Sequence, residues 1–386
     1  MVAPLPDGSL PPGARLLHIG PHKTGTTQVQ AAFHANRERL SRLGVHYVGN
    51  RRQPMQAAMG AASASVRAGQ RYPDRLAKWE RLREEIDAAD APRLVLSSEF
   101  FADADDDSLR RTVAELDTSR LHVVVTLRPL ARILPSQWQQ YVQNRLTAGY
   151  GAWLNAMWRK PPYRRPTPSF WRRHRHDRLV QRWIDAVGLD AVTVLVADEA
   201  DPTMLVREFE RLVGVEPETL SAPRERSNRS LTRVEVDVML AFNRLFKKEK
   251  LPNELYQRFV RFGAARYLAE REPAADEPPI VTPEWALRRA GDLGTEMADG
   301  LRASGVRVVG DLSALASADG PIGPPTAVLD PVTAEIAARL AVGIAAMVDE
   351  RGMPAADQSV ADITRLLADR AWVRLRRPGR RRLMRR

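Results

Sequence analysis

A chain of 386 residues, 44% hydrophobic and 27% charged, has ample material for a packed core in one large or two modest domains. It contains no cysteine, which excludes both a disulfide framework and a thiolate metal site. The net charge of +12 is largely local: Arg370 to Arg386 carries nine arginines and no acid, and taking nine from twelve leaves about +3 on the rest, so the body is not that of a nucleic-acid binder.

The opening residues, MVAPLPDGSLPPGA, have neither a basic nor an apolar leader region. No window approaches the 18 or so consecutive apolar residues of a membrane span. Both observations predict a cytoplasmic chain, with residues 1–13 as a flexible N-terminus. Residues 15–20 read as a strand and about 26–42 as a helix. A short strand at 45–48, helices within 54–89, strands at 93–97 and 121–127, helices through 130–188 and a strand at 191–196 follow. Strands alternating with helices predict an α/β core over 14–230, a P-loop-like, mostly parallel sheet covered by helices on both faces.

From 231 the pattern turns helical, with amphipathic segments at 231–250, 252–270 and 283–304 and a proline-rich connector at 272–279. A second loop at 317–332 and a last helix at about 331–350 complete a helical C-terminal extension over 231–365, expected to pack on the core. Residues 366–386 form a basic tail. It reads either as a solvated, disordered segment or as a contact with anionic lipid head groups, peripheral to a membrane, or with nucleic acid. The Trp158–Arg175 segment, WRKPPYRRPTPSFWRRHR, holds seven basic residues besides His174 and no acid. It reads either as a rim that steers an anionic or sugar acceptor or as an exposed loop.

The run Leu16 to Thr27, LLHIGPHKTGTT, is a strand, a glycine-punctuated turn and a helix start. Such a device holds an anion: backbone N–H groups converge on it, the helix dipole favours negative charge, and Lys23 adds a full positive charge. Gly20 and Gly25 keep the G-x-x-x-x-G spacing of a nucleotide-triphosphate loop. Thr26 and Thr27, however, stand where Lys-Ser/Thr belongs, and the lysine has moved inside the turn. Asp198 follows the Val192–Val196 strand but lies in an acidic loop, not in the position of a magnesium-holding aspartate. The pattern fits a donor whose transferred group carries less charge than a γ-phosphate and needs no metal. A sulfuryl group is such a case.

The G-P-x-K-T-G-T-T run resembles the 5′-phosphosulfate loop of sulfotransferases that use PAPS, 3′-phosphoadenosine 5′-phosphosulfate, of the bacterial, carbohydrate or heparan-sulfate-like type. A second block, the strand Val123–Leu127 running into Arg128-Pro129 with Ser136 eight residues after the arginine, resembles the family's 3′-phosphate site. The stretch Asp177 to Pro217 and the segment Arg226-Ser227-Asn228-Arg229-Ser230-Leu231, similar to R-x-N-x-S-L, extend the likeness over residues 14 to 250. The resemblance implies in-line transfer of a sulfuryl group from PAPS to a hydroxyl, or amine, of a carbohydrate or glycolipid acceptor, without a metal. It places Lys23 on the leaving phosphate, assisted by the N–H groups of Gly25, Thr26 and Thr27 with Thr24 beside them. Arg128 and Ser136 go to the 3′-phosphate.

Glu99, ending LVLSSE, is the candidate base, because heparan-sulfate-type members use a glutamate where small-molecule sulfotransferases use a histidine. Burial near Phe100 and Phe101 is expected to raise its pKa. Its alternative roles are capping the next helix or pairing with an arginine. His22 is the rival base, or a contact without proton transfer. Arg132 shares the phosphate or solvates its helix, and Arg226 and Arg229 close over the cofactor or stay on the surface. Trp138 and Trp183 read as core. The loop, Glu99 and Arg128 all follow strand carboxyl ends, the rim where such sheets bind ligands. Two other functions fit the same motifs: a P-loop phosphoryl transferase, marked by metal-dependent ATP turnover, and a non-catalytic anion- or glycan-binding module.

Overall fold

The computed structural model describes residues 8–63, 73–159, 165–221, 229–323 and 334–349. In it β1 (Arg15–Gly20), β2 (Val45–Tyr47), β3 (Arg93–Ser97), β4 (Leu121–Leu127), β5 (Val192–Val196) and β6 (Arg307–Val309) form one sheet. Its order is β2-β3-β1-β4-β5-β6, and every pairing is parallel. All six residues of β1 and all five of β5 are buried. That is why these strands read as mainly apolar runs: a parallel sheet covered on both sides offers no solvated face.

Alternate residues feed two separate cores, as the period of two in a strand requires. Leu17, Ile19, Leu96, Val123 and Val125 join Trp79, Phe101 and Trp183 on one face. That face is covered by helices Met55–Ala62, Pro73–Ala88, Asp106–Glu115, His176–Val187 and Glu284–Ser304. Leu16, Val95, Val124 and Leu195 join Phe33 and Phe209 on the other, under helices Thr26–Ala35, Arg37–Arg42 and Met204–Val213. The α/β class and helices on both faces are therefore as the sequence predicts. Trp138 and Trp183 are core residues.

Three expectations are corrected. The helix read over 26–42 is two helices broken at Asn36, whose side-chain amide donates to the carbonyls of Ala32 (2.8 Å) and Ser221 (2.7 Å) and so competes with the backbone ladder. The helix Asp106–Glu115 was absent from the sequence reading; Asp105 caps it by accepting from the Ser108 N–H at 2.8 Å. The boundary at 230 also moves. β6 comes from the segment read as a purely helical extension and pairs with β5, Val194 opposite Val308. Three residues are too short a run to show a strand period.

The described residues up to Lys250, together with those from Glu272 to Gly323, make one unit that carries the sheet. The second comprises Leu251–Arg271 and the helix Ala334–Asp349. It is helical, as expected, with Tyr256, Val260, Leu268 and Ile336 buried. Among the described residues no helix is long and apolar enough to cross a membrane. The basic tail, residues 366–386, lies outside the described residues, as does Arg226.

Candidate functional site

β1 ends at Gly20, and the chain turns through Pro21-His22-Lys23-Thr24-Gly25 into the helix Thr26–Ala35. Gly25 (φ 95°) and Lys23 (φ 69°) both adopt left-handed backbone angles. For lysine that conformation costs about 1–2 kcal/mol, so the loop is held against a local preference. The main-chain N–H groups of Lys23 through Thr27 donate to none of the described residues, and no side chain caps the helix. Five unpaired donors at a helix N-terminus form a concavity suited to an anion.

A row of polar side chains seats this loop on the sheet. Thr24 Oγ1 donates to the Pro21 carbonyl at 2.7 Å, which leaves it to accept from Thr126 Oγ1 at 2.8 Å. Thr126, whose proton goes to Thr24 Oγ1 or to the Gly20 carbonyl at 3.4 Å, accepts from His18 Nε2 at 3.2 Å, and His18 Nδ1 accepts from Ser97 Oγ at 2.8 Å. The network thus assigns His18 the Nε2–H tautomer. Burial pushes its pKa down to about 3, against the opposing charge of Glu99, so it is neutral. The Thr24 hydroxyl is committed inside the protein, and the residue is fully buried. His18, Ser97 and Thr126 escaped the sequence reading because each looks like an isolated polar residue in a buried strand.

Glu99 follows β3 and packs directly on the loop. A Cβ at Gly20, which has φ 81°, would lie 2.9 Å from Glu99 Cβ and 3.1 Å from its Cα. Only a glycine there lets the carboxylate stand beside the anion loop. Glu99 Oε2 accepts from Gln30 Nε2 at 3.0 Å and Oε1 from Gln53 Nε2 at 3.2 Å, and Ser98 Oγ in turn donates to Gln53 Oε1 at 3.0 Å. Burial pushes the Glu99 pKa up, but His22 and these donors outweigh it and hold the carboxyl below the ordinary 4.5. The expected raised pKa is therefore corrected. Ser98, not Glu99, caps the short helix Glu99–Asp103, and no arginine pairs with Glu99 among the described residues. Both alternative roles for Glu99 lapse.

Lys23 makes no hydrogen bond or ion pair with any described residue. Burial lowers its pKa below the ordinary 10.5, while the Glu99 charge opposes that. His22 is 3% exposed and stands edge-on to Phe100, ring centroids 4.9 Å apart. Its Nδ1 lies 4.0 Å from Glu99 Oε1 and its Nε2 3.9 Å from Asp103 Oδ2. Burial, then the Arg173 charge, lowers the His22 pKa, although Asp103 and Glu99 pull the other way. Arg173 grips Asp103 with its fork: Nη2 sits 2.6 Å from Oδ2, and Nε bonds Oδ1. Burial opposes ionisation of Asp103, but Arg173 prevails and holds its pKa far below the usual carboxylate range.

Part of the basic segment Trp158–Arg175 is engaged by similar contacts. Arg173 binds Asp103, Arg175 binds Asp177 and Glu296, and Arg159 lies 3.8 Å over the Trp285 ring. These three charges hold helices in place, while Arg165 and Arg172 are exposed. Residues 160–164 lie outside the described residues.

Gly20 pairs with Val125 and His18 with Ser97, so the carboxyl ends of β1, β3 and β4 share one rim. Glu99 and the loop meet there, and Arg128 emerges from the adjacent strand β4. Arg128 does not stand free: its Nε and Nη2 donate to Glu199 Oε1 at 3.1 and 2.8 Å, and Arg132 Nη2 lies 2.8 Å from Oε2. Ser136 is half-buried, two turns along the helix Leu130–Gln143 from Arg128, and its hydroxyl makes no hydrogen bond to a described residue. Arg229 binds the buried Glu235, 2.8 Å to Oε2 and 2.7 Å to Oε1, and Glu235 also closes the capping box of the helix Arg233–Lys248. It is anchored at that helix start.

The fold and rim define a parallel α/β protein whose first strand ends in an anion-suited loop with a carboxylate beside it. No family model matches the chain, and no curated protein matches it. Among solved structures a sulfotransferase from Alicyclobacillus acidocaldarius aligns with a TM-score of 0.37 and 16% identity, over 64% of this chain and 99% of that one. The strand order and register above define the fold here, independently of that likeness.

Proposed function

We propose that this chain is a cytoplasmic enzyme that moves a sulfuryl group from PAPS to a hydroxyl, or amine, of a carbohydrate or glycolipid acceptor. One observation carries the reading: five unpaired main-chain N–H groups and an unpaired Lys23 lie beside Glu99, a carboxylate kept ionised by its own hydrogen bonds. The donor supplies a sulfuryl group joined to a phosphate oxygen that can leave. Lys23 and the N–H groups of Gly25, Thr26 and Thr27 offset the charge that gathers on that oxygen. Glu99 takes the acceptor's proton, with Gln30 and Gln53 fixing the direction of its oxygens. Arg128, Arg132 and Ser136 hold the 3′-phosphate one strand away.

Thermal shift with adenosine 3′,5′-bisphosphate against ATP–Mg²⁺ tests the reading. A ligand at a hundred times its Kd stabilises the native state by about 2.7 kcal/mol, so the bisphosphate is expected to raise Tm and ATP–Mg²⁺ is not. Lys23→Ala should lower sulfuryl transfer about 10²–10³-fold with the fold intact, as removal of one such electrostatic contact does. EDTA-sensitive ATP turnover would instead mark a phosphoryl transferase. Full activity of Lys23→Ala would remove the lysine from the chemistry.

A further inference from the structure

Glu199 stands in the turn after β5. The Ala197 N–H donates to the Leu127 carbonyl at 2.9 Å, and Asp198 Oδ1 accepts from the Ala200 N–H at 2.8 Å, which pins this turn next to Arg128. One Glu199 oxygen takes two N–H bonds from Arg128, and the other is paired with Arg132. Two forks converging on one planar anion is an arrangement that also suits phosphate oxygens. Among these three groups one positive charge stays unbalanced. The Glu199 side chain is 39% exposed, so it can swing to water without burying its charge.

We propose that Glu199 is a displaceable internal counter-anion: it occupies the Arg128 and Arg132 forks in the absence of nucleotide, competes with the nucleotide's 3′-phosphate, and so weakens binding and hastens release. The inference rests on the assignment of Arg128 to that phosphate. A phosphate monoester, with nearly two negative charges and three acceptor oxygens, displaces a monocarboxylate from two guanidinia. The carboxylate then waits beside the site and retakes the forks as the nucleotide loosens. A nucleotide without the 3′-phosphate has nothing to exchange for the carboxylate and leaves the contact in place.

Calorimetric titration with adenosine 3′,5′-bisphosphate and with adenosine 5′-monophosphate, plus stopped-flow release of the bisphosphate, tests this on wild type, Glu199→Gln, Glu199→Ala and Arg128→Ala. Both Glu199 variants should bind the bisphosphate about tenfold tighter, the scale set by two half-exposed ion pairs, with the change in slower release. Monophosphate binding should not move. Unchanged or weaker bisphosphate binding in both variants overturns the proposal, since Glu199 would then do no more than hold the arginines. If wild type binds the two nucleotides equally and Arg128→Ala alters neither, the 3′-phosphate assignment fails and takes this inference with it. If wild type prefers the bisphosphate through Arg128 while the Glu199 variants behave as wild type, only this inference falls.

Discussion

Glu99→Gln is expected to lower the rate of transfer about 10²–10⁴-fold, the range for loss of a general base, while nucleotide binding and Tm stay near wild type. Glutamine keeps the shape, so the packing against Gly20 is preserved; its single amide oxygen accepts from Gln53, and its NH2 is satisfied once the Gln30 amide turns over to present its oxygen. What it loses is a place for the acceptor's proton. The pH profile supplies an independent check. A base must be ionised, so kcat/KM should fall as pH drops through the Glu99 pKa, which lies below 4.5 because its partners favour the charged form. Lys23 must be protonated, so the alkaline limb should follow its pKa, which burial sets below 10.5. An acid limb near 6 to 7, or an active Glu99→Gln, would move the base to another group.

Arg173→Ala is expected to destabilise the protein by about 3–5 kcal/mol, measured by urea denaturation. The Arg173 side chain is 12% exposed and its fork closes on Asp103, so removing it strands a largely enclosed carboxylate beside His22. The sign follows from linkage. Asp103 has a folded-state pKa far below its ordinary 3.8, so the pair's stabilisation is present above pH 3.8 and is lost as pH falls through the folded value. Arg173→Ala should therefore lose most near neutral pH and converge with wild type in strong acid. Pairing Asp103→Asn with Arg173→Ala should recover part of the loss, because no charge is then left alone. Equal stability of wild type and Arg173→Ala at pH 7 would show the pair to be dispensable.

The strands that carry the site were legible because β1, β3, β4 and β5 are short, mainly apolar runs bounded by turn residues, the signature of strands buried on both faces. The loop was legible for a local reason too, since Gly20, Lys23 and Gly25 and the helix start all fall within a dozen residues. What stayed hidden depends on partners distant in the chain. The sign of the Glu99 shift turns on Gln30 and Gln53, 69 and 46 residues away, and Arg128 meets Glu199 across 71 residues. His18 reaches Ser97 and Thr126 only because β1 lies between β3 and β4. Neither composition nor spacing along one segment encodes a neighbour relation of that kind.

The protonation of His18 bears on how the molecule meets acid. Folded, the ring resists a proton down to about pH 3, whereas in a chain opened to water it would take one up near pH 6.5. Burial depresses His22, His174 and His176 in the same sense. Mild acidification therefore draws these four imidazoles toward the unfolded ensemble while the floor beneath the anion loop keeps its donor-to-acceptor order. The folded state therefore loses stability as pH falls below the ordinary imidazole value.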